Sequence, residues 1–315
     1  MTTSKLAFVF PGQGSQEVGM GQALVEASLA ARAVFEQADS LLAFPLSRLC
    51  FEGPEEDLND TYNTQVAIFT TSVAALQALR EAGYNRQPQF VAGHSLGEYS
   101  AYVAAGVLSF EDGLRLVRER GRLMKKAGDL NPGGMAAIMK VDDDKVVEIC
   151  RQVAAEGSGS LQVANYNAPG QVVISGDNSA VERGIELAKA AGARRALKLA
   201  VSIAAHSVLM RVVADEFRQA IDATRLNLPE MPVVANITAR PLATLETIRE
   251  EMEGQLTSSV RWTDSVQWMV DQGVDTFIEL GPKDVLTGLV RRVSKEITAH
   301  AVNSPTQIEA VLQSA

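Results

Sequence analysis

Short apolar runs rich in β-branched and aromatic residues alternate along the chain with longer stretches whose apolar positions recur at helical spacing. Leu6 to Phe10, Phe90 to Ala92, Val233 to Asn236, Thr276 to Leu280 and Thr298 to Val302 predict strands. Gly21 to Leu42, Gln65 to Ala82, Leu96 to Ala105, Phe110 to Ala127, Ser207 to Thr224 and Val285 to Val293 predict helices. This alternation implies an α/β fold, a mostly parallel sheet with helices on its faces.

The middle of the chain follows another order. Met135 to Lys140 reads as a strand, Asp142 to Ala155 as a helix, and Leu161 to Asn165 and Gln171 to Ser175 as strands joined by Asn167-Ala168-Pro169-Gly170. A helix over Asn178 to Ala191, closed by Gly192, precedes a strand over Arg195 to Val201. The β-α-β-β-α-β sequence is the split pattern of ferredoxin-like units. Asn131-Pro132-Gly133-Gly134 punctuates its start and the stretch Ala200 to His206 its end. Residues 131–200 are therefore expected to form a small subdomain inserted into a larger one built from 1–130 and 201–315, with a cleft between them.

Composition narrows the function. The 315 residues are 46% hydrophobic, enough for a large core, and the formal net charge is −9. An acidic surface argues against nucleic acid or an anionic membrane as the main partner. Two cysteines, Cys50 and Cys150, are too few for a disulfide framework or a thiolate metal site and fit a reducing cytoplasm. The apolar run from Leu6 stops at Pro11 and Gly12, well short of a signal-peptide core or a membrane span.

Gly93-His94-Ser95-Leu96-Gly97 follows one predicted strand and opens a predicted helix. A nucleophile elbow needs that context: glycines at both ends permit a sharp turn and close packing, and the serine hydroxyl is left exposed on the corner. The large subdomain is accordingly expected to be α/β-hydrolase-like. The helix amino terminus brings positive potential to the place where an oxyanion forms, with the N–H of Leu96 as one donor.

A serine nucleophile needs a base, and the chain has three histidines, His94, His206 and His300. His94 adjoins Ser95 and should leave the turn in another direction. His206 lies where the inserted unit returns to the main body, bordering the cleft. His300 lies in a late strand, where an ordinary α/β-hydrolase carries its histidine. His206 is favoured by that position, and His300 stays open.

Several stretches together resemble the malonyl-CoA:acyl carrier protein transacylases of fatty-acid synthesis and the related acyltransferase domains of polyketide synthases. They are Phe10-Pro11-Gly12-Gln13-Gly14-Ser15-Gln16, GHSLGEYSA from Gly93, Arg118-Glu119-Arg120-Gly121, Asn165-Tyr166-Asn167-Ala168-Pro169-Gly170-Gln171, His206-Ser207 with Met210, Val260-Arg261-Trp262, and GPKDVLTGL from Gly281. The resemblance implies that Ser95 accepts a malonyl group, that His206 is its base, and that Arg120 holds the distal carboxylate. It also implies an oxyanion hole made by the N–H groups of Gln13 and Leu96, a Gln255 carbonyl behind the histidine in place of a carboxylate, and Asn165 near the site. Asn165 reads almost as well as a turn residue ahead of Pro169-Gly170. A planar guanidinium suits the Arg120 role because it pairs with a carboxylate in two-pronged fashion. Without the resemblance, the run Arg115, Arg118, Arg120 and Arg122 would read as a solvated helix face.

The implied substrate is malonyl-CoA, the implied partner an acyl carrier protein with its own phosphopantetheine, and no resident cofactor or metal is expected. Basic clusters at Arg194, Arg195 and Lys198, or at Lys283, Arg291, Arg292 and Lys295, are candidate docking points for an acidic carrier. Three positions depart from the family pattern: Val66 and Ser259 replace common prolines, and the small Ala205 precedes His206, which opens the choice between malonyl and substituted malonyl groups. A free-standing acyltransferase that loads polyketide carriers stays compatible with the sequence. So does a serine hydrolase using Ser95, His300 and Asp271 or Asp275, and a scaffold of the same fold without catalysis would leave Ser95 unacylated.

Overall fold

The computed structural model describes residues 5–314. Among the described residues, ten strands form two sheets: β1 (Lys5–Phe10), β2 (Phe90–Gly93), β3 (Gly133–Met139), β4 (Leu161–Ala168), β5 (Gln171–Asp177), β6 (Arg195–Lys198), β7 (Val233–Val234), β8 (Pro241–Leu242), β9 (Val274–Leu280) and β10 (Thr298–Val302). The larger sheet has the order β10-β9-β1-β2-β7-β8, parallel except for β8 at one edge.

β1 lies inside this sheet and is apolar on both faces, as a strand covered by helices on either side must be. Leu6, Phe8 and Phe10 join the core under the helices Thr61–Glu81 and Phe110–Leu130. Ala7 and Val9 join the opposite core, with Trp262, Val266 and Met269 of the helix Trp262–Asp271 and Leu286 and Val290 of the helix Val285–Val293.

The second sheet has the order β4-β5-β3-β6, antiparallel throughout. Counted within the insertion, its strands run 2-3-1-4, as the split βαβ pattern requires. The helices Asp143–Ala155 and Asn178–Ala190 cover one face, where Ile138, Val146, Ile149, Val163, Ile174 and Val181 pack. The other face offers Met135, Ala164 and Val173 to Leu199, Val201 and Ala205. β4 also docks onto the large subdomain by its backbone, Tyr166 N–H donating to Val260 O at 2.9 Å and Val260 N–H to Ala164 O at 2.8 Å.

Several elements differ from the periodicity. Gly21 to Leu42 is two helices, Gln22–Ala27 and Leu29–Leu42, because Ser28 turns extended and caps the second, its hydroxyl accepting the Ala31 N–H at 3.0 Å. The stretch after His206 begins as a 3-10 turn over Val208–Val213 and becomes α-helical only over Ala214–Asp222. The strand expected to reach Asn236 pairs only at Val233 and Val234, which frees Asn236 to turn toward the elbow. β6 stops at Lys198, three residues early. Helices at Leu46–Glu52, Leu245–Gly254, Trp262–Asp271 and Pro305–Ser314 were not anticipated by the pattern. No helix among the described residues is long and apolar enough to cross a membrane.

Candidate active site

Ser95 sits on the turn from β2 into the helix Gly97–Ala104 with φ +52°, the left-handed backbone of a strained corner. Both glycines are obligatory there. A Cβ on Gly93 would lie 1.9 Å from the Gly97 carbonyl carbon, and one on Gly97 would lie 2.0 Å from Phe10 O. Gly12 in turn lets the loop after β1 press on the elbow, since a Cβ on it would stand 2.3 Å from His94 O.

His206 completes a dyad. Its Nε2 lies 2.7 Å from Ser95 Oγ, and its Nδ1 faces the carbonyls of Gln255 at 2.9 Å and Ser258 at 3.1 Å. Two acceptors at Nδ1 place the ring proton there and leave the Nε2 lone pair for the serine proton. Burial, and next the Arg120 charge, press the His206 pKa down to about 3, so the imidazole is neutral and able to take a proton at any physiological pH. Gln162 of β4 fixes the histidine's own backbone, Nε2 donating to His206 O at 3.0 Å while Oε1 accepts the Val208 N–H at 3.1 Å.

The other two histidines are elsewhere. His94 packs on Trp262 at 5.8 Å between ring centroids and meets Asn167 Oδ1 at 2.8 Å. His300 lies on the edge strand β10, with β9 and β1 between it and β2, so it does not pair with Ser95. Asp271 accepts from Gln267 and Asp275 from Thr276. The hydrolase arrangement is therefore not assembled.

Arg120 is 1% exposed, while its neighbours in the basic run find surface partners: Arg115 with Glu111, Arg118 with Tyr62 and Leu42 O, and Arg122 with Glu119 and Glu216. Its Nη2 donates to Ser95 Oγ at 3.0 Å and to Gln255 Oε1 at 2.9 Å, and its Nη1 to Gln65 Oε1 at 2.7 Å. No carboxylate pairs with it among the described residues, and its Nε finds no hydrogen-bond acceptor. A buried cation held by neutral amides, a hydroxyl and the Tyr99 ring, 5.6 Å from its centroid, is a site prepared for an anion.

The N–H groups of Gln13 and Leu96 donate to no acceptor among the described residues; Leu96 directly follows Ser95, and Gly12, next to Gln13, presses on His94 O. The Gln13 loop is braced by Ser15 Oγ donating to Gly12 O at 2.7 Å and Lys283 Nζ to Gln16 O at 2.9 Å. A cleft of about 180 Å³ opens beside Gln13, between Asn59 to Thr61, Lys125 with Gly128 and Asp129, and the linker Ala200 to Ile203.

Asn165 is buried in β4, where its backbone bridges Val260, and is not part of a turn. Gln255 contributes more than its carbonyl, because its side chain touches Arg120, Ser95 O and Glu98. Ser259, in place of a proline, donates to Val163 O, and Val66 is buried in its helix. Of the basic candidates, Lys283 is committed to the Gln13 loop, Arg291 to Ala299 O and Arg292 to Gln171 and Pro169 O, while Arg194, Arg195 and Lys198 lie exposed on or beside edge strand β6. Sequence reasoning missed Gln65, Glu98, Gln162, Asn236 and Ser258. Only Glu98 carried a signal, as the acid that directly follows the elbow motif.

An elbow serine, a neutral histidine at its hydroxyl, two free N–H groups and a buried arginine define a serine acyl-transfer enzyme on an α/β scaffold. The chain belongs to the acyl transferase domain family, whose model matches residues 7–311, and within it to the malonyl CoA-acyl carrier protein transacylases. It is 45% identical to the malonyl CoA-acyl carrier protein transacylase of Bacillus subtilis (strain 168) over 98% of this chain and 97% of that one. The solved structure of the Coxiella burnetii transacylase is 36% identical with a TM-score of 0.95, covering 98% of this chain and 97% of that one. A malonyl-transacylase solved in complex with its type II polyketide synthase acyl-carrier protein is 41% identical with a TM-score of 0.95, over 99% of this chain and all of that one.

Proposed function

We propose that the protein moves a malonyl group from malonyl-CoA to the phosphopantetheine thiol of an acyl carrier protein, in cytoplasmic fatty-acid synthesis, with no resident cofactor. The observation that carries this reading is Arg120, a fully buried guanidinium 3.0 Å from the nucleophile and without a carboxylate of its own. A malonyl group supplies that carboxylate two carbons from the reacting carbonyl, and an acetyl group does not.

His206 Nε2 takes the Ser95 proton as Oγ attacks the thioester carbonyl. The oxyanion develops against the Gln13 and Leu96 N–H groups. Collapse breaks the carbon–sulfur bond, the thiolate of CoA receives the proton from His206, and the acyl group stays on Ser95 as an ester. The carrier's thiol repeats the sequence in reverse, losing its proton to His206 as sulfur attacks and returning the hydroxyl to Ser95. One base and one oxyanion hole serve both halves.

The relatives' names support the donor and the acceptor, and the complex with a polyketide carrier supports a protein acceptor docked at this fold. Two buried cysteines without a disulfide agree with a reducing compartment. Intact-protein mass spectrometry after brief exposure to malonyl-CoA, methylmalonyl-CoA and acetyl-CoA tests the reading. A malonyl adduct is expected on the wild type and none on Ser95→Ala. An unmodified wild type, or an adduct from acetyl-CoA alone, rejects it.

A further inference from the structure

Ser95 keeps a left-handed backbone that a side chain adopts only where its surroundings impose it. The groups that impose it lie beneath the elbow and take no part in the bond changes. Asn236 accepts the Ser95 N–H on Oδ1 at 2.7 Å and donates from Nδ2 to Gly93 O at 2.7 Å. Gln255 Nε2 donates to Ser95 O at 3.0 Å. Both ends of the nucleophile are thus gripped by side-chain amides.

An amide can turn over, and the amide nitrogen of each of these is held by one carboxyl. Glu98 Oε1 accepts the Asn236 N–H and Nδ2, both at 2.8 Å, and Glu98 Oε2 accepts Gln255 Nε2 at 2.5 Å. With its orientation set, Gln255 turns Oε1 to Arg120, while its backbone carbonyl independently faces His206 Nδ1. Glu98 is fully buried and stands beside Glu251, which accepts the Ile237 N–H at 2.8 Å. Burial raises both carboxyls, and Glu98 further by repulsion from Glu251.

We propose that Glu98 is a positioning residue that orients the Asn236 and Gln255 amides and through them keeps Ser95 and Arg120 in register. The proposal rests on the transferase reading only for the identity of the acyl group. A carboxyl oxygen accepts hydrogen bonds even when protonated, whereas an amide NH2 only donates. Glutamine at position 98 must therefore set a donor against Asn236 or against Gln255, whichever way it turns. Gln255 relieves the clash by rotating, which takes its Nε2 from Ser95 O and turns it on Arg120.

The test compares the full-length wild type with Glu98→Gln and with Asn236→Asp, which keeps the acceptor for Ser95 but turns an oxygen on Gly93 O and Glu98. Thermal melting reports folding. Single-turnover acylation across malonyl-CoA concentrations separates the limiting rate from KM, and fluorophosphonate labelling reads the Ser95–His206 dyad without a carboxylate. In folded variants the limiting acylation rate is expected to fall about 100-fold, more than KM rises, with fluorophosphonate labelling slowed in parallel. Asn236→Asp decides the matter should Glu98→Gln not fold. A folded variant that labels at the wild-type rate overturns the proposal. A wild type that takes no malonyl, but whose fluorophosphonate labelling slows in the variants, leaves the positioning role standing and rejects the transferase reading.

Discussion

The large and small subdomains contribute to the site in different ways. Among the described residues, the side chains that touch Ser95 Oγ come from the large one: Arg120 lies on a helix that packs against the helix Thr61–Glu81, and His206 lies just past the insertion. The small subdomain reaches the centre through Gln162, which holds the histidine's backbone, and through the β4 pairing with Val260. The chemistry is thus built on a rigid, parallel-sheet floor, while the antiparallel unit is a wall that aims one part of it. Burial follows the same division, since Arg120, Glu98 and Gln255 are sealed while β6, at the outer edge of the wall, carries an exposed Leu197.

The strongest challenge to this division is removal of the base. His206→Ala is expected to lower Ser95 acylation by about 10⁴-fold or more, while His300→Ala leaves it unchanged, as read by single-turnover kinetics. The opposite result would move the catalytic floor to the far edge of the sheet.

Arg120→Met comes next, with an expected loss of about 100-fold or more with malonyl-CoA and little change with acetyl-CoA. The same substitution has a signed pH effect. The Arg120 charge disfavours a protonated His206 and helps hold its pKa near 3, so its removal should move the acid limb of kcat/KM to higher pH. A limb that stays in place would show that burial alone sets the base.

Gln162→Leu sharpens the role of the wall. Losing its bonds to His206 O and the Val208 N–H should reduce kcat about 10-fold, with a smaller change in KM for malonyl-CoA. The smallest effect is expected at the exposed edge. Arg194→Glu with Arg195→Glu should raise KM for the carrier protein several-fold through lost charge complementarity and leave acylation by malonyl-CoA alone. Unchanged carrier kinetics would remove β6 from the docking surface.

Elements whose order is local were legible in the sequence. β10 and the helix Val285–Val293 fall on their expected bounds, and the elbow follows from two glycines around a serine. The inserted unit was legible because its turns are marked by Gly, Pro and Asn. The helix expected from Gly21 to Leu42 was split by one serine whose capping bond periodicity does not register. At the site, the histidine's position was legible, but its setting between Gln255 O and Ser258 O was not a matter of local pattern; the first came from the family resemblance, and the second was missed. The amide grip on Ser95 joins residues 141 and 160 positions apart, so nothing in either neighbourhood announces it.

The two peptide carbonyls behind His206 have an energetic meaning of their own. A carboxylate there would stabilise the imidazolium with a full negative charge, and two neutral dipoles stabilise it far less. The catalyst is therefore a weak lever for expelling poor leaving groups such as amines. A thiolate departs with little protonic help, so the site has enough driving force to open thioesters and too little to digest the amide bonds of its own protein partner.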